Sequence, residues 1–220
     1  PSNTALTVGP KISYALVDTF NPYTKEKQLV ILAEALISKY FREEDAGVDG
    51  PPEGKVLPWS LQKTFLGTEL VGLRYAQLLP YAQPFEHADQ AFRVIPGDFV
   101  TTEDGTGIVH TAPTFGADDA RVAAAAGVPP LLVLDEHGNP VPLVDLQGRF
   151  VSQMGDLAGQ YVKIEYYPEE ERPELSVDEQ IGIQLKQQGK AFKVQKYSHS
   201  YPHCWRTDKP VLYYPMDSWF

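Results

Sequence analysis

Apolar and polar positions alternate weakly over residues 11–18 and turn mostly apolar over 28–33. Between them lie Asn21-Pro22 and the polar run Lys25-Glu26-Lys27. Alternation at period two gives a strand one core face and one wet face, so two strands joined as a hairpin with a longer loop are predicted. Over 34–41 the spacing becomes helical, with Ala35, Leu36, Lys39 and Tyr40 around one turn. Residues 43–58 are acidic and rich in Gly and Pro, and predict an exposed loop. Residues 61–70 return to β-branched and aromatic types, and prolines within 75–84 forbid a long helix there.

Residues 92–95, then Pro96-Gly97-Asp98, then 99–102 read as strand, turn, strand. Asp104-Gly105 is a tight-turn signal, because both central positions of the favoured hairpin turn need φ > 0. The next strand, 107–110, is therefore expected antiparallel to 99–102. The clearest helix is 117–126, alanine-rich and stopped by Gly127 and Pro129-Pro130. A buried strand at 131–134 precedes a turn at 136–139, and 156–166 is read as helix. Ser176-Val177-Asp178-Glu179 fits a capping box, and the helix behind it is expected to bury Val177, Ile181 and Leu185 and to end at Gly189. Residues 191–200 and 211–214 read as aromatic strands. No repeat or low-complexity segment is visible. The fold class predicted is α+β, with a β-barrel-like core of short, mostly antiparallel strands and peripheral helices.

Composition narrows the function classes. A formal net charge of -10 over 220 residues argues against a general nucleic-acid glue, although not against a local basic groove. No apolar run approaches a membrane span and no signal peptide is visible. Cys204 is the single cysteine, which rules out an internal disulfide and fits a reducing compartment; a cytoplasmic location is expected. The chain starts at Pro1 and ends at Ser218-Trp219-Phe220, and is read as one domain, 1–220, excised from a longer polypeptide.

The chemistry concentrates in residues 105–119. A strand delivers His110, Ala112-Pro113 makes a rigid corner, and Gly116 opens a helix that carries Asp118 and Asp119. Such strand–turn–helix junctions expose N–H groups and hold side chains at fixed angles. On spacing alone His110 is by default a structural histidine bonded to a carbonyl. The two acids by default compensate the helix dipole, a contribution of about 0.3–1 kcal/mol. Only one of them can face a cleft, because neighbours on a helix diverge. His199, His203 and Cys204 have poor zinc spacing. Gly105-Thr106-Gly107 lacks the ending of a phosphate loop, and no GxSxG nucleophile turn occurs. Tyr197, Tyr201, Trp205, Tyr213 and Tyr214, beside Arg206 and Lys209, could stack on bases, but an aromatic core is the favoured reading.

The run Gly105-Thr106-Gly107-Ile108-Val109-His110-Thr111-Ala112-Pro113-Thr114-Phe115-Gly116-Ala117-Asp118-Asp119 closely resembles the editing-domain signature GTGIVHxAPxFGxxD of the isoleucyl-tRNA synthetase family. Residues 92–100 look like the segment that precedes it. Residues 199–206 and 218–220 look like the return path to the synthetic domain, so 199–220 is expected to be a return segment. The valyl and leucyl relatives carry a different pattern after the glycines, so His110 with Phe115-Gly116 favours the isoleucyl member.

The resemblance implies post-transfer editing: hydrolysis of valyl-tRNA(Ile) made in error by an enzyme whose full-length form ligates isoleucine to tRNA(Ile) with ATP. One methylene in an apolar pocket discriminates by only about 1–3 kcal/mol, a figure long attached to this very amino-acid pair rather than worked out from this sequence. A second, smaller pocket that excludes isoleucine by overlap solves that problem. By resemblance, Asp119 grips the substrate ammonium, His110 lines the side-chain pocket, and Ala112, Phe115, Thr106 and Gly107 are substrate-binding positions. No protein nucleophile is implied; water attacks the ester. The partners implied are the tRNA(Ile) 3′ acceptor end, the valine ester and the rest of the synthetase, with no membrane. No cofactor is implied for the domain, since ATP, magnesium and any zinc belong to the full-length enzyme. The family carries a threonine-rich strand just before the position of Pro1, and its absence here implies a weakened fragment. The alternative is a non-catalytic module that guides the acceptor end.

Overall fold

The computed structural model describes residues 2–196 and 200–215. Eight strands and three α-helices follow one another in the order β1 (Ala5–Val8), β2 (Ser13–Phe20), β3 (Lys27–Ala33), α1 (Ile37–Tyr40), β4 (Trp59–Leu66), β5 (Arg93–Pro96), β6 (Ile108–Thr111), α2 (Ala117–Ala125), β7 (Leu132–Leu134), β8 (Pro140–Pro142) and α3 (Val177–Gln187), with short 3-10 turns between them. The strands form three small sheets, ordered β5-β1-β6, β3-β2-β4 and β7-β8. The class is α+β as expected. Among the described residues the sheets stay open, so the barrel-like core is corrected to three separate sheets.

The hairpin read from the alternating pattern is present. β2 pairs antiparallel with β3 from Tyr14 opposite Ala33 to Phe20 opposite Lys27. Its turn is held by Asn21, whose Oδ1 accepts from the N–H groups of Tyr23 and Thr24.

The Asp104-Gly105 hairpin is not formed. Gly105 takes φ 67 but Asp104 has no positive φ, so the two-residue turn geometry is not met. Residues 99–102 form no strand. β6 pairs instead with β1, Leu6 opposite His110, and β5 lies parallel on the other side of β1, Leu6 opposite Val94. β1, for which the apolar and polar pattern raised no expectation, is therefore the central strand of the sheet.

Three cores hold the layers together. The first sheet packs one face against the second sheet through Val8, Val94, Tyr14, Val17, Leu32 and Leu36. Its other face is covered by α2, where Ala5 and Ile95 meet Val122, Ala123 and Val128. The third core gathers Leu131, Leu143, Phe150, Met154 and Val177 around β7 and β8.

The helix over 177–187 starts as predicted: Ser176 Oγ accepts from Glu179 N, and Glu179 accepts from Ser176 N. It buries Val177, with Ile181 and Leu185 half-buried. The helix expected at 156–166 is broken. Gly155 and Gly159 sit at positive φ, and only 3-10 turns form at Ser152–Leu157 and Ile164–Tyr166. Residues 191–196 and 211–215 are not strands, and 197–199 lie outside the described residues. The favoured aromatic core at the C-terminal end is also corrected. Trp205 is 87% exposed and Tyr213 64% exposed, while Tyr197 lies outside the described residues.

Candidate functional site

β6 alternates its side chains between two different environments. Val109 and Thr111 face α2, where the Thr111 hydroxyl meets that of Thr7 at 2.6 Å. Ile108 and His110 face the other way, toward the side that packs on the second sheet. The strand stops at Ala112-Pro113, and a turn closed by Phe115 N donating to Ala112 O (3.1 Å) leads into α2.

Gly116 precedes the helix with no side chain of its own, which lets Asp119 fold back. A Cβ there would stand 3.2 Å from the Asp119 carboxyl. The Asp119 Oδ2 accepts from the Ala112 N–H at 2.8 Å, so the carboxylate is held at the end of β6. Asp118 points the opposite way. It is 87% exposed and reaches only Arg121, at 3.9 Å. One acid is thus turned inward and its neighbour outward, as helix geometry requires.

His110 keeps one edge open to solvent while the surrounding chain packs round it. That desolvation holds its pKa below the usual histidine value, and the nearby Asp119 carboxylate pulls it upward. The imidazole is neutral at pH 7, able to donate from one nitrogen and accept at the other.

Six residues were expected at one site, and they divide into two groups. His110, Ala112 and Asp119 come together at the C-terminal end of β6. Phe115 is adjacent along the turn, but its ring packs on the third core and meets Tyr214 at a centroid distance of 6.4 Å. Thr106 and Gly107 sit at the other end of the strand, roughly 10 Å or more away at about 3.3 Å per residue. Thr106 O accepts from Ala33 N (2.8 Å), and Gly107 O accepts from the Tyr14 hydroxyl (2.6 Å). These two residues fasten β6 to the second sheet.

Thr106 also lines an apolar hollow of about 590 Å³ with Tyr40, Phe41, Leu78 and Phe192. Four other hollows of about 240–420 Å³ lie elsewhere on the surface. His110, Ala112, Phe115 and Asp119 line none of the five.

Sequence reasoning missed Leu6, Val94, Asn3 and Tyr14. Asn3 donates to Thr111 O at 3.2 Å and accepts from the Tyr75 hydroxyl, tying the start of β1 to the end of β6. Tyr14 is fully buried, accepts from Gly9 N and donates to Gly107 O. Alternation in Ala5-Leu6-Thr7-Val8 was the available signal for β1, but four residues are too few to stand out.

Among the described residues no three His, Cys, Asp or Glu side chains converge on a metal position. The His203 ring contacts Tyr201 O at 2.9 Å, and His199 lies outside the described residues. No helix there is long and apolar enough to cross a membrane.

No family model matches the chain. Three curated relatives, each carrying the name isoleucine–tRNA ligase, align with all of it. The protein from Cytophaga hutchinsonii is 56% identical over 233 residues, that from Porphyromonas gingivalis 49% over 240, and that from Rickettsia akari 36% over 220. The chain spans 21% of the length of the first two and 16% of the third. One solved structure, the crystal structure of GlLeuRS-CP1, superimposes with a TM-score of 0.37 at 19% identity, over 64% of this chain and 50% of its own.

Proposed function

The chain belongs to the isoleucine–tRNA ligase family, and on that premise we propose that it is the segment that hydrolyses valine wrongly esterified to tRNA(Ile). Ligation of isoleucine to tRNA(Ile) with ATP is assigned to the remainder of a full-length synthetase, as are ATP and metal binding. The tRNA 3′ acceptor end and the rest of that polypeptide are the partners proposed.

One observation carries this reading. Asp119 is fastened inward by the Ala112 N–H, beside a neutral His110, while Asp118 is left in solvent. A fixed carboxylate can seize the α-ammonium of an aminoacyl ester, and that contact orients the ester carbonyl for attack by water. The reaction then needs no protein nucleophile. The water adds to the carbonyl, the ester C–O bond breaks, and the ribose oxygen leaves with a proton. Asp119 is an anchoring group here, and His110 borders the space taken by the amino-acid side chain.

A second reading is a module that guides the acceptor end without hydrolysing it. Thr106, expected at the site, instead lines an apolar hollow near the other end of β6, which favours that reading for the chain by itself.

The test is deacylation of valyl-tRNA(Ile) by a full-length synthetase carrying this sequence. Asp119→Ala removes a charge-assisted contact of about 1.5–3 kcal/mol, which is roughly a 10–150-fold fall in kcat/KM. Asp118→Ala leaves the rate nearly unchanged. If Asp118→Ala alone silences hydrolysis, the inward acid has been misassigned.

A further inference from the structure

The peptide group between Thr111 and Ala112 is gripped on both sides. Its N–H donates to Asp119 Oδ2 at 2.8 Å. Its carbonyl accepts from Thr4 N at 3.1 Å and from Asn3 Nδ2 at 3.2 Å. The Asn3 carboxamide also donates to Ala5 O, and its oxygen accepts from the Tyr75 hydroxyl. Separate stretches of chain thus meet in one hydrogen-bonded line. It runs from the Tyr75 hydroxyl through the Asn3 carboxamide and the 111–112 peptide to the Asp119 carboxylate.

The far end of this line is firmly placed. Tyr75 N donates to Phe92 O at 3.0 Å, and the two rings meet edge-on at a centroid distance of 6.1 Å. Burial pushes the Tyr75 phenol above the ordinary tyrosine value, so it keeps its proton at neutral pH and acts as a donor. Bonds in such a chain polarise one another, each strengthening the next by about 10–30%. A peptide whose carbonyl accepts two bonds therefore has a better N–H donor on its other side. The near end is open. Asp119 is half-buried at the surface, and its Oδ1 accepts from no described residue.

We propose that Tyr75 is a positioning residue for Asp119, acting through Asn3 and the 111–112 peptide. This rests on the editing reading above and deepens it. The peptide fixes Oδ2 and leaves Oδ1 to meet the substrate ammonium. The contact is made at the surface, so it needs no enclosed cavity. Tyr75 lies outside the 105–119 signature and acts on it only through the fold.

The experiment measures deacylation by a full-length synthetase carrying this sequence, with Tyr75 as it stands and with Tyr75→Phe, which removes the hydroxyl and keeps the ring. Two esters of tRNA(Ile) are compared: valine, and its 2-hydroxy analogue, which has a hydroxyl where valine has its ammonium. Tyr75→Phe should lower kcat/KM for the valyl ester about 3–10-fold, a partial loss because Thr111 O keeps its bond from Thr4. The hydroxy ester should stay within about twofold of its rate with the unaltered enzyme. In an Asp119→Ala background, Tyr75→Phe should add less than about twofold, because the group it positions is gone. A merely structural role would slow both esters alike and would persist without Asp119. Equal slowing of the two esters, an undiminished effect in Asp119→Ala, or no effect on either ester overturns the role of Tyr75 and leaves the editing reading standing. If the unaltered enzyme does not hydrolyse the valyl ester, or if Asp119→Ala leaves that rate untouched, the editing reading itself falls, and this inference with it.

Discussion

Gly105 and Gly107 lie two residues apart in the signature run and share nearly the same backbone, φ 67 and φ 73. Their surroundings differ completely. A Cβ built on Gly105 meets nothing within 4 Å, whereas one built on Gly107 stands 2.5 Å from the Ala33 Cβ. Replacing either by alanine puts an L-residue in the left-handed region, at a cost of about 1–2 kcal/mol. At Gly107 the added methyl must also push β6 from the second sheet, an overpacking cost of about 1–3 kcal/mol. Gly107→Ala should therefore lose about 2–5 kcal/mol and Gly105→Ala only about 1–2. The backbone contribution cancels in the comparison, so the difference isolates the close approach. Urea unfolding followed by circular dichroism reads it, and a domain of this size should show a melting-temperature gap of roughly 2–12 °C. Equal destabilisation by the two substitutions would refute the claim that Gly107 is a contact point between the sheets.

Other outcomes follow from the same geometry. The His110 imidazole should titrate below the usual histidine value by NMR, and Asp119→Asn should lower it further, because that carboxylate opposes the desolvation. The sign follows: with the folded pKa depressed, His110 costs nothing above about pH 6.5 and lowers stability as the pH falls below it. An upward shift in Asp119→Asn would contradict the placement of the two groups. Ser176→Ala removes the reciprocal cap of α3 and should cost about 0.5–2 kcal/mol in urea unfolding.

What was legible in the sequence was local. The β2–β3 hairpin announced itself through alternation and through Asn21, whose side chain makes the turn. α2 and α3 carried start and stop signals within a few residues of their ends. What failed was long-range or cumulative. No local pattern tells β6 to leave 99–102 for β1, some hundred residues earlier; that choice is made by Tyr14, Ala33 and Asn3, which grip the two ends of the strand. Residues 156–166 have helical composition, but Gly155 and Gly159 adopt conformations that a helix does not use. The aromatics from 201 onward resembled a core, yet Trp205 and Tyr213 are exposed, because aromatic content does not say what a side chain packs against. The site was half legible. His110, Ala112 and Asp119 of the signature lie together at the end of β6, and their roles toward a substrate are proposals. The signature could not show that Thr106 and Gly107 serve the joint between sheets, or that Leu6 stands opposite His110.

The most direct test of the central claim is the hydrolysis rate of valyl-tRNA(Ile) against isoleucyl-tRNA(Ile), measured on a full-length synthetase carrying this sequence under one set of conditions. Rapid loss of valine with isoleucine left in place is the predicted result. Equal loss of both amino acids, or of neither, would contradict it.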